Sequence, residues 1–103
     1  MKAQIAAIAS ALVLVEQGLK DDIRVADMAV AAGYSLYHFC RVFNAIVHHT
    51  PYDYLMRRRL SESALCLLET DWNVADIAFE YQFNSHEAYS RAFKRMFGVP
   101  PRR

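Results

Sequence analysis

Apolar residues recur every three or four positions along most of the chain, which predicts helices throughout. The first helix is expected over residues 3–18, and a longer one begins after Thr50 and runs to about Glu69. Thr50 is suited to cap the long helix, and Pro51 fits its first position, where a missing N–H costs nothing. The apolar residues expected to form the buried stripe of that helix are Met56, Leu60, Ala64, Leu67 and Leu68.

Residues 25–43 read as a short helix, a tight turn and a second helix. Gly33 lies where the chain must turn, since glycine accepts a positive φ without steric cost. Ser35 follows as a candidate N-cap of the second helix. This pattern is typical of a helix-turn-helix motif, whose second helix lies in a DNA major groove. The outward face of that helix would carry Leu36, Tyr37, Cys40, Arg41 and Asn44.

This helix-turn-helix pattern occurs twice in the chain. The segment VADMA at 25–29 recurs as VADIA at 74–78, an offset of 49, and the offset becomes 50 after the turn. The extra residue therefore lies in the second turn, where an insertion leaves the packing of the helices in phase. Two copies of this pattern are less expected by chance than one, so the repeat predicts two related units. The matched positions after the turn are Ser35/Ser85, Phe39/Tyr89, Arg41/Arg91, Phe43/Phe93 and Pro51/Pro101.

We therefore predict an all-α fold of two homeodomain-like helix-turn-helix units joined by a long linker helix. The expected division is residues 1–49 for the first unit, 50–70 for the linker helix and 71–103 for the second unit. A helix of this length spans ~28 Å at 1.5 Å per residue. Recognition helices on one face of B-DNA lie ~34 Å apart, so the length of the linker helix is suitable for holding two recognition helices in successive major grooves.

The net charge of +1 is low for a protein that binds nucleic acid. The total hides an uneven distribution, because eight of the twelve basic residues lie in the second half. Local charge matters more than the sum within a Debye length of ~8–10 Å. These basic residues are Arg57, Arg58, Arg59, Arg91, Lys94, Arg95, Arg102 and Arg103.

The chain offers no pattern typical of an enzyme or a cofactor site. It has only three glycines and no Gly-rich phosphate loop, and no Ser/His/Asp or Cys/His arrangement can be assembled. The adjacent His48 and His49 would diverge by ~100° on a helix, and no His-x3-His face occurs. We therefore expect no catalysis, no metal and no cofactor.

The cysteines and the apolar N-terminal run bear on location. Cys40 and Cys66 lie in predicted helices without a CxxC pair, so two reduced thiols in a reducing compartment are expected. The apolar run that ends at Val15 is too short to cross a bilayer, which needs ~20 residues. These observations predict a cytoplasmic protein without membrane contact.

Three blocks, VADMAVAAGYSLYHFCRVF, TPYDYLMRRRLSESALCLL and VADIAFEYQFNSHEAYSRAFKRMFGVPP, together cover most of the chain. In these blocks the chain resembles the DNA-binding domain of the AraC/XylS family of bacterial transcription regulators. The resemblance implies a monomeric module that binds adjacent major grooves of double-stranded DNA. It also implies, by position, base contacts from Tyr37, Cys40, Arg41, His86, Glu87, Ser90 and Arg91.

Phosphate contacts are expected from Ser35, Arg57, Arg58, Ser85, Lys94 and Arg95. Arg41 and Arg91 can each pair with guanine, or instead clamp a phosphate or form a surface ion pair. Glu87 can accept from cytosine N4, or instead hold Arg91 through an i,i+4 pair. Arg59 is expected to be partly buried. Trp72 is expected to fill the core between the linker helix and the second unit.

The chain departs from the family pattern at Gln82, at the reading positions Cys40 and Glu87, where these residues are unusual, and after the Pro pair. Gln82 stands where the family usually has glycine, so the second turn is expected either to be strained or to be reshaped with Asn84 in the left-handed conformation. The family usually continues with a short helix after the Pro pair, whereas this chain stops at Arg103. The native protein is then expected to continue, for example into a sensing domain.

A second interpretation stays open. In it, the chain is a helical protein-interaction module, in which the second unit or the apolar first helix docks RNA polymerase or a sensing domain. The sequence leaves open the operator, the effector, the oligomeric state and the direction of regulation.

Overall fold

The computed structural model describes residues 1–102, and Arg103, counted above among the basic residues, lies outside them. Within that range the chain forms Lys2–Gln17 (α1), Val25–Ala32 (α2), Leu36–Val47 (α3), Pro51–Glu69 (α4), Val74–Glu80 (α5) and His86–Phe97 (α6). The described residues contain no strand, so the predicted all-α fold is confirmed. None of these helices combines the length and apolarity that a membrane crossing needs.

The chain divides into two compact units, and the division falls inside α4. The first unit is Met1–Met56, and the second begins at Arg57. As predicted, α4 begins at Pro51, and the hydroxyl of Thr50 accepts from the N–H of Asp53 at 3.1 Å. The three-part division at 49/50 and 70/71 stays a prediction.

Two phenylalanine rings pack together in the core of the first unit, among aliphatic side chains. Phe39 and Phe43 are fully buried, with ring centroids 5.4 Å apart, and Phe43 meets Tyr54 edge-on at 5.7 Å. Gly18 ends α1 at an ordinary φ of −120°, and a Cβ there would lie 3.1 Å from the Cγ2 of Ile23. A side chain at Gly18 would therefore require Ile23 to shift by a few tenths of an ångström.

The buried stripe of α4 differs in phase from the prediction. Leu68 is 83% exposed, whereas the fully buried Ser63 occupies the stripe. The prediction used apolar residues alone, but a buried hydroxyl is tolerated when its hydrogen bonds are made. The Ser63 hydroxyl donates to the carbonyl of Leu60 at 2.7 Å. Besides Pro51 at its start, the buried α4 side chains are Leu55, Arg59, Leu60, Ser63 and Leu67, which includes Arg59 as expected.

Tyr89 is the central side chain of the second unit. It is fully buried between Phe83 and Phe93, and its hydroxyl donates to Ser63 Oγ at 2.7 Å. Burial raises the pKa of Tyr89, because the phenolate would lose its hydration. The expectation that Trp72 fills this core was wrong. Trp72 is 44% exposed, because Tyr89 and the rings around it already fill the interior.

Candidate nucleic-acid interface

Both candidate recognition helices, α3 and α6, begin with a serine N-cap. The hydroxyl of Ser35 accepts from the N–H of His38 at 3.2 Å, and that of Ser85 from the N–H of Ala88 at 3.0 Å. A hydroxyl that accepts in this way keeps its own proton for donation. Each serine can therefore cap its helix and still donate to a phosphate oxygen at the helix N-terminus, where the dipole favours an anion.

The turns before α3 and α6 have equivalent hydrogen bonds. In the first, the N–H of Tyr34 donates to the carbonyl of Ala29 at 3.0 Å; in the second, Phe83 donates to Ala78 at 3.0 Å. This bond closes a helix end through a residue in the left-handed conformation. The two turns therefore share one hydrogen-bond pattern up to Tyr34 and Phe83.

The left-handed residues in those turns are Gly33, with a φ of 76°, and Gln82, with a φ of 71°. Of the two expectations for this turn, the strained turn is confirmed, because Gln82 itself is left-handed, and the turn reshaped at Asn84 was wrong. The hydrogen bond that closes α5 fixes the left-handed position one residue after Tyr81, whatever residue stands there. Asn84 is instead the extra residue of the second turn, exposed and directly before the cap Ser85.

The outward face of α3 combines aromatic, sulfur and cationic groups. Tyr37 is 73% exposed, and the guanidinium carbon of Arg41 lies 5.8 Å from the centre of its ring. Such a cation–π contact restrains an arginine one turn along the helix. Leu36 and Arg41 are exposed, and Cys40 is half-buried. The sequence already indicates this contact, because residues four positions apart are neighbours on a helix surface.

The outward face of α6 is polar and mostly charged. His86, Glu87 and Arg91 are exposed, and Ser90 is half-buried. Within residues 1–102, no ion pair joins Glu87 to Arg91. The alternative in which Glu87 holds Arg91 through an i,i+4 pair is therefore not supported by a contact. Glu87 lies in the first turn of α6, where the helix dipole favours a carboxylate.

The remaining candidate phosphate contacts lie on α4 and α6. Lys94 and Arg95 are exposed in the last turn of α6, and Arg57 is exposed on α4. Arg58 is half-buried and forms an ion pair with Glu62 at 2.9 Å. A phosphate would have to compete with that carboxylate for the Arg58 guanidinium.

Comparison with known proteins adds to this geometry. The family model described as a helix-turn-helix domain matches residues 28–103. The transcriptional activator AarP of Providencia stuartii is 37% identical over 94 residues, which cover 91% of this chain and 70% of AarP. The chain spans only 30–31% of the length of several other relatives, at 37–39% identity.

Solved structures share the fold. An AraC-type transcriptional regulator from Chromobacterium violaceum superposes with a TM-score of 0.89 at 21% identity, over 98% of this chain and 90% of that one. The DNA-binding domain of AdpA, a global transcriptional factor solved with a target DNA, superposes with a TM-score of 0.84 at 25% identity. That match covers 91% of this chain and 85% of the AdpA domain.

Proposed function

Because the chain belongs to the AraC-type helix-turn-helix family of DNA-binding regulators, we propose that it regulates transcription by placing α3 and α6 in adjacent major grooves. The observation that carries this proposal is the repeated position of two exposed arginines. Arg41 and Arg91 each lie six residues after a serine N-cap, on the outward face of the second helix of a helix-turn-helix motif. One recognition helix per groove is the arrangement that a duplicated helix-turn-helix needs.

Base recognition is proposed for the outward faces of the two helices. Arg41 and Arg91 each donate two hydrogen bonds to the O6 and N7 of a guanine, worth ~1–3 kcal/mol of discrimination. Tyr37 and Cys40 offer apolar contact to a thymine methyl group. The proposed base-contacting residues of α6 besides Arg91 are His86, Glu87 and Ser90.

Phosphate contacts are proposed to hold the protein in register on the duplex. Ser35 and Ser85 donate from the helix N-termini, and the cationic side chains lie on α4 and on the last turn of α6. In this proposal residues 1–49 and 71–103 are the reading units, and residues 50–70 connect them. The cationic side chains proposed for phosphate contact are Arg57, Arg58, Lys94 and Arg95.

The wider role follows from the family. We propose that the protein acts in the cytoplasm, where the DNA is, and has no catalytic role. RNA polymerase and a sensing domain outside this chain are the proposed protein partners.

Selection of bound sequences from a random double-stranded oligonucleotide pool tests the proposal. We expect two blocks of base preference about ten base pairs apart, one for each recognition helix. Lys2→Ala, an exposed change on α1, serves as the control and should select the same site as the parent. A single block of preference, or no enrichment at all, would contradict the proposal.

A further inference from the structure

The second unit carries an aromatic and acidic depression on the outward side of α5. The depression has a volume of about 450 Å³ and is lined by Trp72, Asp76, Phe79 and Glu80. Both aromatic side chains are unusually open to solvent, with Trp72 44% and Phe79 57% exposed. Neither α3 nor α6 contributes a lining residue, so the surface is separate from the proposed reading faces.

Local structure holds the depression in place. The hydroxyl of Thr70 donates to the carbonyl of Cys66 at 2.7 Å and accepts from the N–H of Trp72 at 3.3 Å, so the end of α4 orients the tryptophan. Asp76, Phe79 and Glu80 follow at i, i+3 and i+4, which places them on one face of α5. Asn73 caps that helix through the N–H of Asp76 at 2.8 Å.

The charge of this depression opposes a DNA contact. The carboxylates of Asp76 and Glu80 would repel phosphate, and the exposed Asp71 lies next to Trp72 in the chain. Exposed aromatic side chains bordered by like charges are typical of surfaces that bind another protein. The complementary ligand has an apolar side chain for the aromatic floor and cationic groups for the carboxylates.

We propose that this depression docks a segment of a partner protein in which lysine or arginine side chains flank a leucine-like anchor. The anchor packs between Trp72 and Phe79, and the basic side chains pair with Asp76 and Glu80. The surface thus binds a protein through α5 while the proposed reading helices α3 and α6 remain free for DNA.

Trp72 is the only tryptophan in the chain, so its fluorescence reports directly on the depression. The probe is a synthetic peptide, acetyl-Lys-Leu-Arg-Arg-Leu-Lys-amide, titrated to millimolar concentration into the full chain without DNA. We expect a saturable shift in emission. A peptide with glutamate in place of each basic residue, and one with serine in place of each leucine, should give no such shift.

Variants separate the two parts of the contact. Phe79→Ser should abolish the shift. The double change Asp76→Asn/Glu80→Gln should weaken binding by about three- to ten-fold, as expected for two surface ion pairs. Glu69→Gln, an exposed change outside the lining, is the matched control and should bind like the parent. Circular dichroism checks that each variant is folded.

The absence of a saturable shift with the parent, an equal shift with the glutamate peptide, or full binding by folded Phe79→Ser would overturn the proposal. An equal response to free arginine amide would point to a small cationic ligand and would overturn it as well. DNA binding measured on the same variants keeps the two proposals apart. Phe79→Ser should bind DNA like the parent, whereas failure of the DNA proposal would leave the peptide titration unchanged.

Discussion

The two units repeat one backbone plan but carry different side chains on their second helices. The first unit has four basic and five acidic residues, whereas the chain from Arg57 onward has eight basic and six acidic residues. The outward face of α3 has Arg41 beside Tyr37, while α6 carries Arg91, Lys94 and Arg95. A shared fold therefore leaves room for unequal roles. We expect more phosphate anchoring from the second unit than from the first.

The two units also differ in where they use glycine. Each has a left-handed residue in the turn and another at the end of its second helix. The first unit has Gly33 and then His48, with a φ of 65°, whereas the second has Gln82 and then Gly98, with a φ of 83°. Each unit thus relieves strain at one of the two positions and bears it at the other.

The largest effect is expected from exchanging the central aromatic residues of the two cores. Phe39→Tyr adds a hydroxyl to a fully buried ring and should lower the free energy of unfolding by about 2–3 kcal/mol, since that hydroxyl loses its hydration and must fit into a packed core. Tyr89→Phe removes one hydrogen bond and should cost about 1 kcal/mol, because Ser63 keeps its bond to Leu60. Urea unfolding measures both changes, and equal costs would contradict the difference between the cores. Tyr37→Phe, at an exposed position, is the control.

The uneven charge can be tested by salt titration of DNA binding. Lys94→Ala together with Arg95→Ala should reduce the slope of log affinity against log salt by roughly 2, because each phosphate contact contributes ~0.9. Arg41→Ala should reduce the slope by at most ~1, since α3 offers one cation. If the two variants change the slope equally, the second unit is not the main electrostatic anchor.

The glycine difference predicts two stabilising substitutions of similar size. Gln82→Gly and His48→Gly should each raise the free energy of unfolding by up to about 1 kcal/mol, because glycine adopts the left-handed conformation without a Cβ penalty. Asn84→Gly should not stabilise the protein, because Asn84 is not among the residues with a positive φ. Thermal unfolding of the three variants measures this, and a gain at Asn84 equal to that at Gln82 would contradict the assignment.

The smallest expected effect is a loss of folding stability at alkaline pH, which arises from Tyr89 in the second unit. Burial raises the pKa of Tyr89, so the folded state holds the phenol proton that the unfolded chain loses near pH 10. Stability is therefore kept below pH 10 and falls as the pH rises through the folded pKa. The stability difference between the parent and Tyr89→Phe should shrink from pH 8 to pH 11. A constant difference would show that Tyr89 does not contribute to the loss.

The repeat in the sequence was sufficient to predict the fold and the outward positions of Arg41 and Arg91. Periodicity missed the phase of α4, because it does not distinguish a satisfied hydroxyl such as Ser63 from a surface residue. Residue preference left a strained turn at Gln82 and a turn reshaped at Asn84 both open, because it does not show the hydrogen bond from Phe83 to Ala78 that closes α5. Trp72 was misplaced because size and apolarity do not indicate that Tyr89 already fills the core.

Methylation interference at guanine N7 tests the central claim most directly, because the methyl group blocks major-groove contacts one guanine at a time. On a selected site, the parent should show two clusters of guanines whose methylation prevents binding, about ten base pairs apart. Arg41→Ala should lose sensitivity at one cluster only, and Arg91→Ala at the other only. Loss of the same cluster by both variants, or a single cluster in the parent, would contradict a protein whose two units read two grooves.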